Sequence, residues 1–311
     1  MISRPIHSCV ISFIAILLSA YGFAQEPKLF SRSDFDLKGE VKNCLVITNY
    51  GQEEFEFNQS GLLTKSITRF TEEDYSVTYY KYRDSLLLEQ RNENYAQGQL
   101  DEGTSIAHFY ALDTSNNRKI TERIFSYQKE FLDQYEYYFD EEDRLIRVIR
   151  SNEEGVDETE VTYTTYKDEQ TITYSVNGVI QKSIRKSIKG KGNPGERHLE
   201  LTKEFLGGQP NRAVEVERDP DQYVLSSKEY YFDPLKNEFA LRQRTDYEYD
   251  AEGNLNAESI LLGRAKSSKS YIYQFDGSEF KNWIKQVVTP DNTYKTRRIT
   301  YFDSEPKTEE K

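Results

Sequence analysis

Cysteine is nearly absent from this sequence, which has only Cys9 and Cys44 in 311 residues. Cys9, in IHSC, loosely resembles a lipoprotein acceptor site, but it precedes the apolar stretch instead of following it, which excludes lipidation. Because Cys9 lies in a segment that we predict is removed on export, Cys44 has no intrachain disulfide partner. Cys44 lies in the apolar run NCLVITN, which predicts a buried structural thiol and not a nucleophile.

Histidine is also scarce, and its positions lack the spacing of a metal site. Beyond the N-terminal segment only His108 and His198 remain, with no H-x-x-x-H pair and no C-x-x-C. We therefore predict no metal ion and no cofactor. No G-x-S-x-G motif is present. A Ser-His-Asp or Cys-His arrangement stays open, but we assign no catalytic residue and expect both histidines to be exposed or structural strand residues.

Basic residues are fewer than acidic residues in this chain. Lys and Arg total 41 against 53 Asp and Glu, and removal of Arg4 with the export signal gives 40 − 53 = −13. This balance argues against binding to nucleic acid or to an anionic membrane surface. Acidic residues are so numerous that the presence of two of them near each other in the sequence does not by itself indicate a catalytic carboxylate pair. The runs DEED at 140–143 and DPD at 219–221 lack the pattern of a calcium loop and fit turns.

The one basic region surrounds GKGNPG at 190–195, which matches G-x-G-x-x-G by letter. A dinucleotide site needs these glycines to open a helix, whereas the next residues, ERHLELTKEF, alternate as a strand does. We interpret the segment as a hairpin loop without a nucleotide. We interpret the basic residues around it as part of a solvated loop and prefer this interpretation to an anion-binding site. They are Arg185, Lys186, Lys189, Lys191 and Arg197.

Hydrophobic residues make up 36% of the chain, but tyrosine is abundant, with 24 residues. Tyrosine covers apolar surface while its hydroxyl stays hydrated, which suits a broad, thin structure. Helical periodicity is nearly absent. The only ambiguous segment is SYQKEFLDQY at 126–135, which we assign to a strand. No linker-like change in composition appears, so one elongated domain is predicted.

The N-terminus has the features of a secretory signal. Its only formal charge before Glu26 is Arg4, and the apolar stretch CVISFIAILLSA is too short for a transmembrane helix, which needs roughly 20 residues. We expect cleavage after Ala24, and hence a periplasmic or extracellular protein with no membrane span. The predicted boundaries are 1–24 for the signal peptide, 25–303 for a single β-repeat domain and 304–311 for a polar tail.

A degenerate repeat organises the rest of the chain. Its frame is aromatic–Asp/Asn–x–x–Gly–x–Leu, preceded and followed by alternating polar and apolar residues. In YDAEGNL, Asp250 can bond to the backbone ahead of it and Gly253 can take the left-handed conformation, so we predict a hairpin turn with packed tyrosines on its strands. The clearer copies lie at 57–63, 139–145, 174–180 and 249–255, and looser ones at 82–88, 218–224, 232–239 and 275–280.

The frame YDAEGNL resembles the tyrosine–aspartate (YD) repeat of the RHS and teneurin group, and FDEEDRL keeps that group's Arg-Leu ending. The segments DLKGEVKN at 36–43 and KNWIK at 281–285 are similar to small exported YD-like proteins of Bacteroidota type. The resemblance spans about 40–303. It implies a repetitive β architecture and almost nothing about activity.

We therefore expect an all-β fold, an extended antiparallel meander of roughly 20 strands, and a non-enzymatic interaction or scaffold module of the cell envelope. Two alternatives stay open: a carbohydrate-active enzyme that uses a carboxylate pair, and an outer-membrane β-barrel. A protein or glycan partner is expected. The candidate binding group is an aromatic face, for which core packing is the competing explanation: Tyr271, Tyr273, Phe275 and Trp283.

Overall fold

A computed structural model describes residues 27–302, which contain 21 strands and one 3₁₀ turn at Arg32–Phe35. The predicted signal peptide and polar tail lie outside the described residues. The strands are Val41–Thr48 (β1), Gly51–Phe57 (β2), Leu63–Arg69 (β3), Tyr75–Arg83 (β4), Leu86–Ala96 (β5), Gln99–Leu100 (β6), Ile106–Asp113 (β7), Lys119–Ser126 (β8), Phe131–Phe139 (β9), Leu145–Asn152 (β10), Gly155–Tyr166 (β11), Glu169–Val176 (β12), Val179–Lys189 (β13), Arg197–Leu206 (β14), Gln209–Arg218 (β15), Val224–Asp233 (β16), Glu238–Tyr249 (β17), Leu255–Leu262 (β18), Ala265–Phe275 (β19), Trp283–Thr289 (β20) and Thr293–Tyr301 (β21).

Apart from β6, each strand pairs antiparallel with the strands on either side of it, and the first strand pairs with the last. The short β6 pairs only with β5, and β5 also pairs with β7, so a ring of 20 strands remains. The predicted all-β, antiparallel structure is confirmed. The predicted extended meander is wrong, because the sheet closes into a barrel. Strand twist and repeated β-bulges curve the sheet. Closure then satisfies the edge N–H and C=O groups of β1 and β21, which an open meander would leave unpaired.

The turns of the barrel form two rims. The Asx-turn rim contains the turns that follow β2, β4, β7, β9, β11, β13, β15, β17 and β19; the tip rim contains those that follow β1 and the remaining strands up to β20. Six of the eight predicted frames lie at the Asx-turn rim, while those at 174–180 and 232–239 lie at the tip rim. The predicted turns at 97–98, 177–178, 207–208 and 290–292 are confirmed. The strand assigned to 126–135 is partly wrong, because a turn at 127–130 divides it between β8 and β9.

The predicted chemistry of the Asx turns is confirmed. Asp250 Oδ1 accepts hydrogen bonds from the backbone N–H groups of Glu252 (3.0 Å) and Asn254 (2.7 Å), and Gly253 has φ +82°. Asp140 makes the same bonds in its own frame, where Asp143 takes the glycine position at φ +60°. These turns are local structures that depend on a few neighbouring residues.

The tyrosines do more than pack across strands. In four frames, the last apolar residue accepts a hydrogen bond at its backbone oxygen from a tyrosine hydroxyl of the next strand. Each bond is 2.7–3.0 Å long and lies at the Asx-turn rim. Each bond satisfies a carbonyl close to a turn, where the strand ladder ends. The pairs are Tyr82 with Leu63, Tyr163 with Leu145, Tyr249 with Val224 and Tyr273 with Leu255.

The buried Tyr137 and several half-buried tyrosines lie on one face of the sheet, here called the tyrosine face. Strand register places the following residues on it: Tyr80, Tyr110, Tyr137, Tyr174, Tyr247 and Tyr271. Two hydrophobic clusters lie on the same face. One joins the 3₁₀ turn to β1 and β2, where the Phe35 and Phe55 ring centroids are 4.3 Å apart, and the other surrounds Tyr137, Phe139 and Val148.

Replacing Gly51 by alanine should destabilise the barrel much more than replacing Gly155. Both glycines begin a strand at the tip rim with similar φ angles, +153° and +146°, so the backbone strain of an L-residue is matched. A Cβ at Gly51 would overlap the backbone carbonyl oxygen of Arg69, whereas one at Gly155 meets nothing within 4 Å. Overpacking of this kind costs about 1–3 kcal/mol. Chemical denaturation of G51A and G155A measures the difference, and equal midpoints would contradict the prediction.

Candidate functional site

The predicted aromatic group does come together at β19 and β20, but most of it is engaged in packing. Trp283 is 8% exposed, its indole N–H donates to Asp36 Oδ2 (2.9 Å), and the Arg297 guanidinium lies 3.5 Å from its ring centroid. The Tyr273 hydroxyl donates to Leu255 and accepts a bond from the Gln286 amide (3.0 Å). This geometry fits the competing explanation, core packing. Ligand binding by the group stays a prediction.

The two terminal motifs of the sequence meet here and hold the barrel closed. The Asn282 side chain is 2% exposed, accepts a bond from Lys38 N–H (2.8 Å) and donates to Lys38 O (2.8 Å) and to the Tyr301 hydroxyl (2.8 Å). DLKGEVKN and KNWIK are thus joined across 244 residues of sequence. We call Asp36, Lys38, Asn282, Trp283 and Arg297 the latch.

Arg297 is a buried charge, and the latch surrounds it with acceptors. It is 6% exposed and donates to the carbonyl oxygens of Phe35 (2.9 Å) and Asp36 (3.2 Å) at the end of the 3₁₀ turn. Burial lowers the pKa of Arg297, while Cys44 and Asp36 oppose that shift. The carbonyls and the indole ring together compensate part of the cost of removing the guanidinium from water.

A second polar cluster, which we did not predict, is centred on Glu122 on the tyrosine face. Glu122 is 7% exposed and bonds to His108 Nδ1 (2.7 Å), the Tyr110 hydroxyl (3.0 Å) and the Tyr137 hydroxyl (2.7 Å). Burial first, and then the Glu122 charge, raises the pKa of Tyr110 and of Tyr137. The spacing of His108 and Tyr110 was visible in the sequence, but the register that sets Glu122 opposite Tyr110 was not.

The chemistry of this cluster is limited by access. A carboxylate–imidazole pair can hold or transfer a proton, and His108 Nε2 is buried without a hydrogen-bond partner. However, the two grooves on the described surface, of about 440 and 320 Å³, that are formed near β9–β11 and β12–β14 are lined by other residues. Three donors from β7 and β9 bond to the one buried carboxylate of β8, and these bonds link the three strands. We therefore assign this cluster to stability.

His198 lies near the basic loop, in β14 as the sequence predicted. Its Nε2 lies 2.9 Å from Glu196 Oε1, and its Nδ1 lies 3.1 Å from the Gln222 amide nitrogen. Because both of its ring nitrogens have hydrogen-bond partners, the His198 imidazole positions the loop that contains Glu196. The segment GKGNPG forms a loop between β13 and β14, which confirms the hairpin interpretation. The smaller groove is here, with Lys186 and Glu200 among the residues of both charges that line it.

No metal site is visible within residues 27–302, where no group of three or more His, Cys, Asp or Glu side chains is arranged to hold an ion. In the same part of the chain, no helix has the length and apolar character needed to cross a bilayer. Burial raises the pKa of one carboxyl group, Glu53, whose charged neighbour is Lys295. That pair is not the two-carboxylate arrangement that a glycosidase needs.

Cys44 should be inert in the folded protein. Its side chain is 1% exposed within the cluster of β1 and β2, and burial raises its pKa to about 11. Because the thiolate is the nucleophile, we expect negligible labelling by an aromatic disulfide reagent at neutral pH, and one reacted thiol per chain in denaturant. Rapid labelling of the native mature chain would show that the cluster opens.

Comparison with known proteins gives weak likenesses only. No family model and no curated protein matches the chain. Solved structures that are similar include a porin-like protein from Bacteroides uniformis (10% identity, 84% of this chain and 98% of that one, TM-score 0.32). A porin-like protein from Bacteroides vulgatus has the same identity and coverage with a TM-score of 0.24, and TcdB2-TccC3 matches at 11% identity over 87% of this chain and 18% of its own (TM-score 0.21). Membership of the YD-repeat group stays a prediction.

Proposed function

We propose that this chain is an exported, non-enzymatic β-barrel that stands in the aqueous part of the cell envelope or outside the cell and binds a protein or glycan partner. The observation that carries this proposal is the charge on both faces of the closed sheet. Cross-strand ion pairs lie on the tyrosine face, as in Arg150–Asp133 (2.7 Å), and on the opposite face, as in Lys119–Glu136 (3.0 Å).

These charges bear directly on where the barrel can reside. A barrel embedded in the outer membrane needs an apolar band on its lipid face, and a Lys or Arg at the bilayer midplane costs about 2–4 kcal/mol. The opposite face alone carries ion pairs on three separate parts of the ring: Lys65–Glu56, Lys119–Glu136 and Lys228–Glu215. Because both faces of the closed sheet carry charges, we favour an arrangement in which both faces are in contact with water.

The outer-membrane barrel is the second candidate, and one observation favours it. The sheet closes with an even number of antiparallel strands, mostly 7–12 residues long. Closure supports this candidate at least as well as it supports an open interaction module. The charged faces are the reason that we rank it second. The carbohydrate-active alternative has no comparable support among the described carboxylates.

Cell fractionation distinguishes the first two candidates. We expect the mature chain in the periplasmic extract or the medium without detergent, while an integral outer-membrane protein of the same cells stays in the pellet. Heat-modifiable migration in detergent gels, together with a requirement for detergent, would establish the membrane candidate and overturn ours.

The partner can be tested at the predicted aromatic face, where Phe275 is its most exposed side chain at 37%. Affinity capture from the envelope extract with F275A should recover less partner than with the unmodified chain. Phe131 is a matched control, being 38% exposed at the opposite rim. Equal recovery with F275A and F131A would remove the aromatic face from the proposal while leaving the barrel's aqueous location untouched.

A further inference from the structure

The rings of Tyr75 and Tyr95 are stacked where β4 and β5 approach the tip rim. The two residues lie directly opposite each other in strand register, their ring centroids are 4.5 Å apart, and their ring planes are within 11° of parallel. Register also places Tyr75 between Tyr95 and Arg69 of β3, whose guanidinium lies 4.8 Å from the Tyr75 ring centroid. These contacts hold the two tyrosine rings in a parallel stack.

Tyr95 has a proton acceptor within hydrogen-bond reach. Its hydroxyl donates to Glu93 Oε2 (2.8 Å), and the Tyr127 hydroxyl donates to Glu93 Oε1 (2.8 Å). The bond to Glu93, followed by burial, raises the pKa of Tyr95 to about 12, so this phenol stays protonated at neutral pH. Removal of an electron from Tyr95 is therefore coupled to loss of its proton, and Glu93 is positioned to accept that proton.

The other tyrosine ring pairs within residues 27–302 have a different geometry. The Tyr223 and Tyr249 centroids are 4.9 Å apart, but the rings are tilted by 53°, and the Tyr249 hydroxyl donates to a backbone carbonyl, which is a much weaker base than a carboxylate. The Tyr135 and Tyr137 centroids are 6.2 Å apart. A carbon–carbon bond between two phenoxyl rings begins to form perpendicular to the ring planes, so a close parallel stack is the arrangement that favours it.

We propose that Tyr75 and Tyr95 are a site of dityrosine formation, at which a one-electron oxidant joins β4 covalently to β5. Two equivalents of the oxidant each take one electron, one from each phenol. The Tyr95 proton passes to Glu93 and the Tyr75 proton to water. An ortho carbon of one phenoxyl radical then bonds to an ortho carbon of the other, and the hydrogens on these two carbons move to the phenolic oxygens. The protein loses two hydrogen atoms in total.

Such a link would give this chain a covalent staple that its cysteine content does not allow. Cys44 is the single cysteine of the described residues, whereas small exported domains often depend on disulfides. A bond between residues 75 and 95 closes a loop and restricts the unfolded chain as a disulfide does. The inference goes beyond the proposed function and depends neither on the partner of the barrel nor on its location.

Oxidation of the purified mature chain tests this inference. Photo-generated ruthenium(III) tris-bipyridyl serves as the oxidant, with persulfate as the final electron acceptor. We expect dityrosine fluorescence in the monomer fraction, and mass spectrometry of the digested chain should locate the link between Tyr75 and Tyr95. Y75F and Y95F should each abolish it. E93Q should slow its formation at least about tenfold, because a positioned base typically contributes about 10²–10⁴-fold.

The tilted pair provides a matched control. Y249F should leave the yield of the link unchanged, and oxidation of the unmodified chain in urea should lower it, because the unfolded chain does not hold the two rings together. The cross-linked chain should also unfold at a higher denaturant concentration than oxidised Y95F. Circular dichroism establishes that all variants fold.

Four results would contradict this inference. Equal cross-linking at Tyr223–Tyr249 would remove the role of the parallel stack. Dimers joined through the most exposed tyrosines, Tyr50 (80%) and Tyr166 (71%), without an intrachain link would show that exposure alone controls the reaction. An unchanged rate in E93Q would remove Glu93 as the proton acceptor. An unchanged unfolding midpoint after cross-linking would remove the staple.

Discussion

Replacing Asn282 by alanine is expected to lower the free energy of unfolding by about 3 kcal/mol or more. The side chain satisfies both backbone groups of Lys38 and the Tyr301 hydroxyl in a nearly water-free site. Each buried group that loses its partner costs about 1–3 kcal/mol. The effect should be large because this residue, in the loop before β20, joins the segment before β1 to Tyr301 of β21, and the barrel closes where β1 pairs with β21.

Chemical denaturation and native-state hydrogen exchange together measure this effect. Backbone amides of β1 and β21 should exchange faster in N282A, while amides in the distant β12–β14 hairpins change only with global stability. Asn116 is an exposed asparagine in the turn after β7 and serves as the control, since N116A removes no described bond. If N282A and N116A had the same unfolding midpoint, the latch would have no part in closure.

Stability should fall steeply above about pH 10, with tyrosine as the cause. Burial raises the pKa of Tyr80 to about 12, and the hydrogen bond to Glu93, followed by burial, raises the pKa of Tyr95 to about 12. The ordinary pKa of a tyrosine hydroxyl is 10.0, so the tyrosines of the unfolded chain ionise first. These groups therefore contribute their full stability below pH 10 and lose it as the pH rises towards 12.

Many other tyrosines add to this loss in the same direction. Burial raises the pKa of Tyr110, Tyr137 and Tyr271 as well. Tyrosinate absorbance of the native chain should rise at higher pH than that of the urea-unfolded chain, and it should rise together with loss of β circular dichroism. Y80F should lose less stability between pH 10 and 12. Identical titration curves for the native and unfolded chains would contradict this account.

The hairpins were predictable because their determinants are local. In the segment around Asp250 and Gly253, alternation sets the strands, and one carboxylate and one glycine set the turn. The same logic correctly placed Asp143 in a glycine position. It failed at 126–135, where the turn uses Lys129 at φ +69° without a glycine, a conformation that the sequence pattern does not indicate.

The candidate sites were less predictable, because each depends on contacts between distant residues. Trp283 was singled out for its aromatic character, but the sequence does not show that Arg297 covers its ring. The similarity of the terminal motifs to other exported proteins was visible, yet the bonds between Lys38 and Asn282 require the closed barrel. The Glu122 cluster depends on the register between β7, β8 and β9.

The amino-acid sequence alone determined that this chain is built of tyrosine-rich antiparallel hairpins, because alternation and Asx turns act over a few residues. Only the tertiary structure decided that the hairpins join into a ring and which faces share the charges. Those features depend on accumulated twist and on one pairing between the two ends of the sheet, and neither quantity is encoded in any short segment.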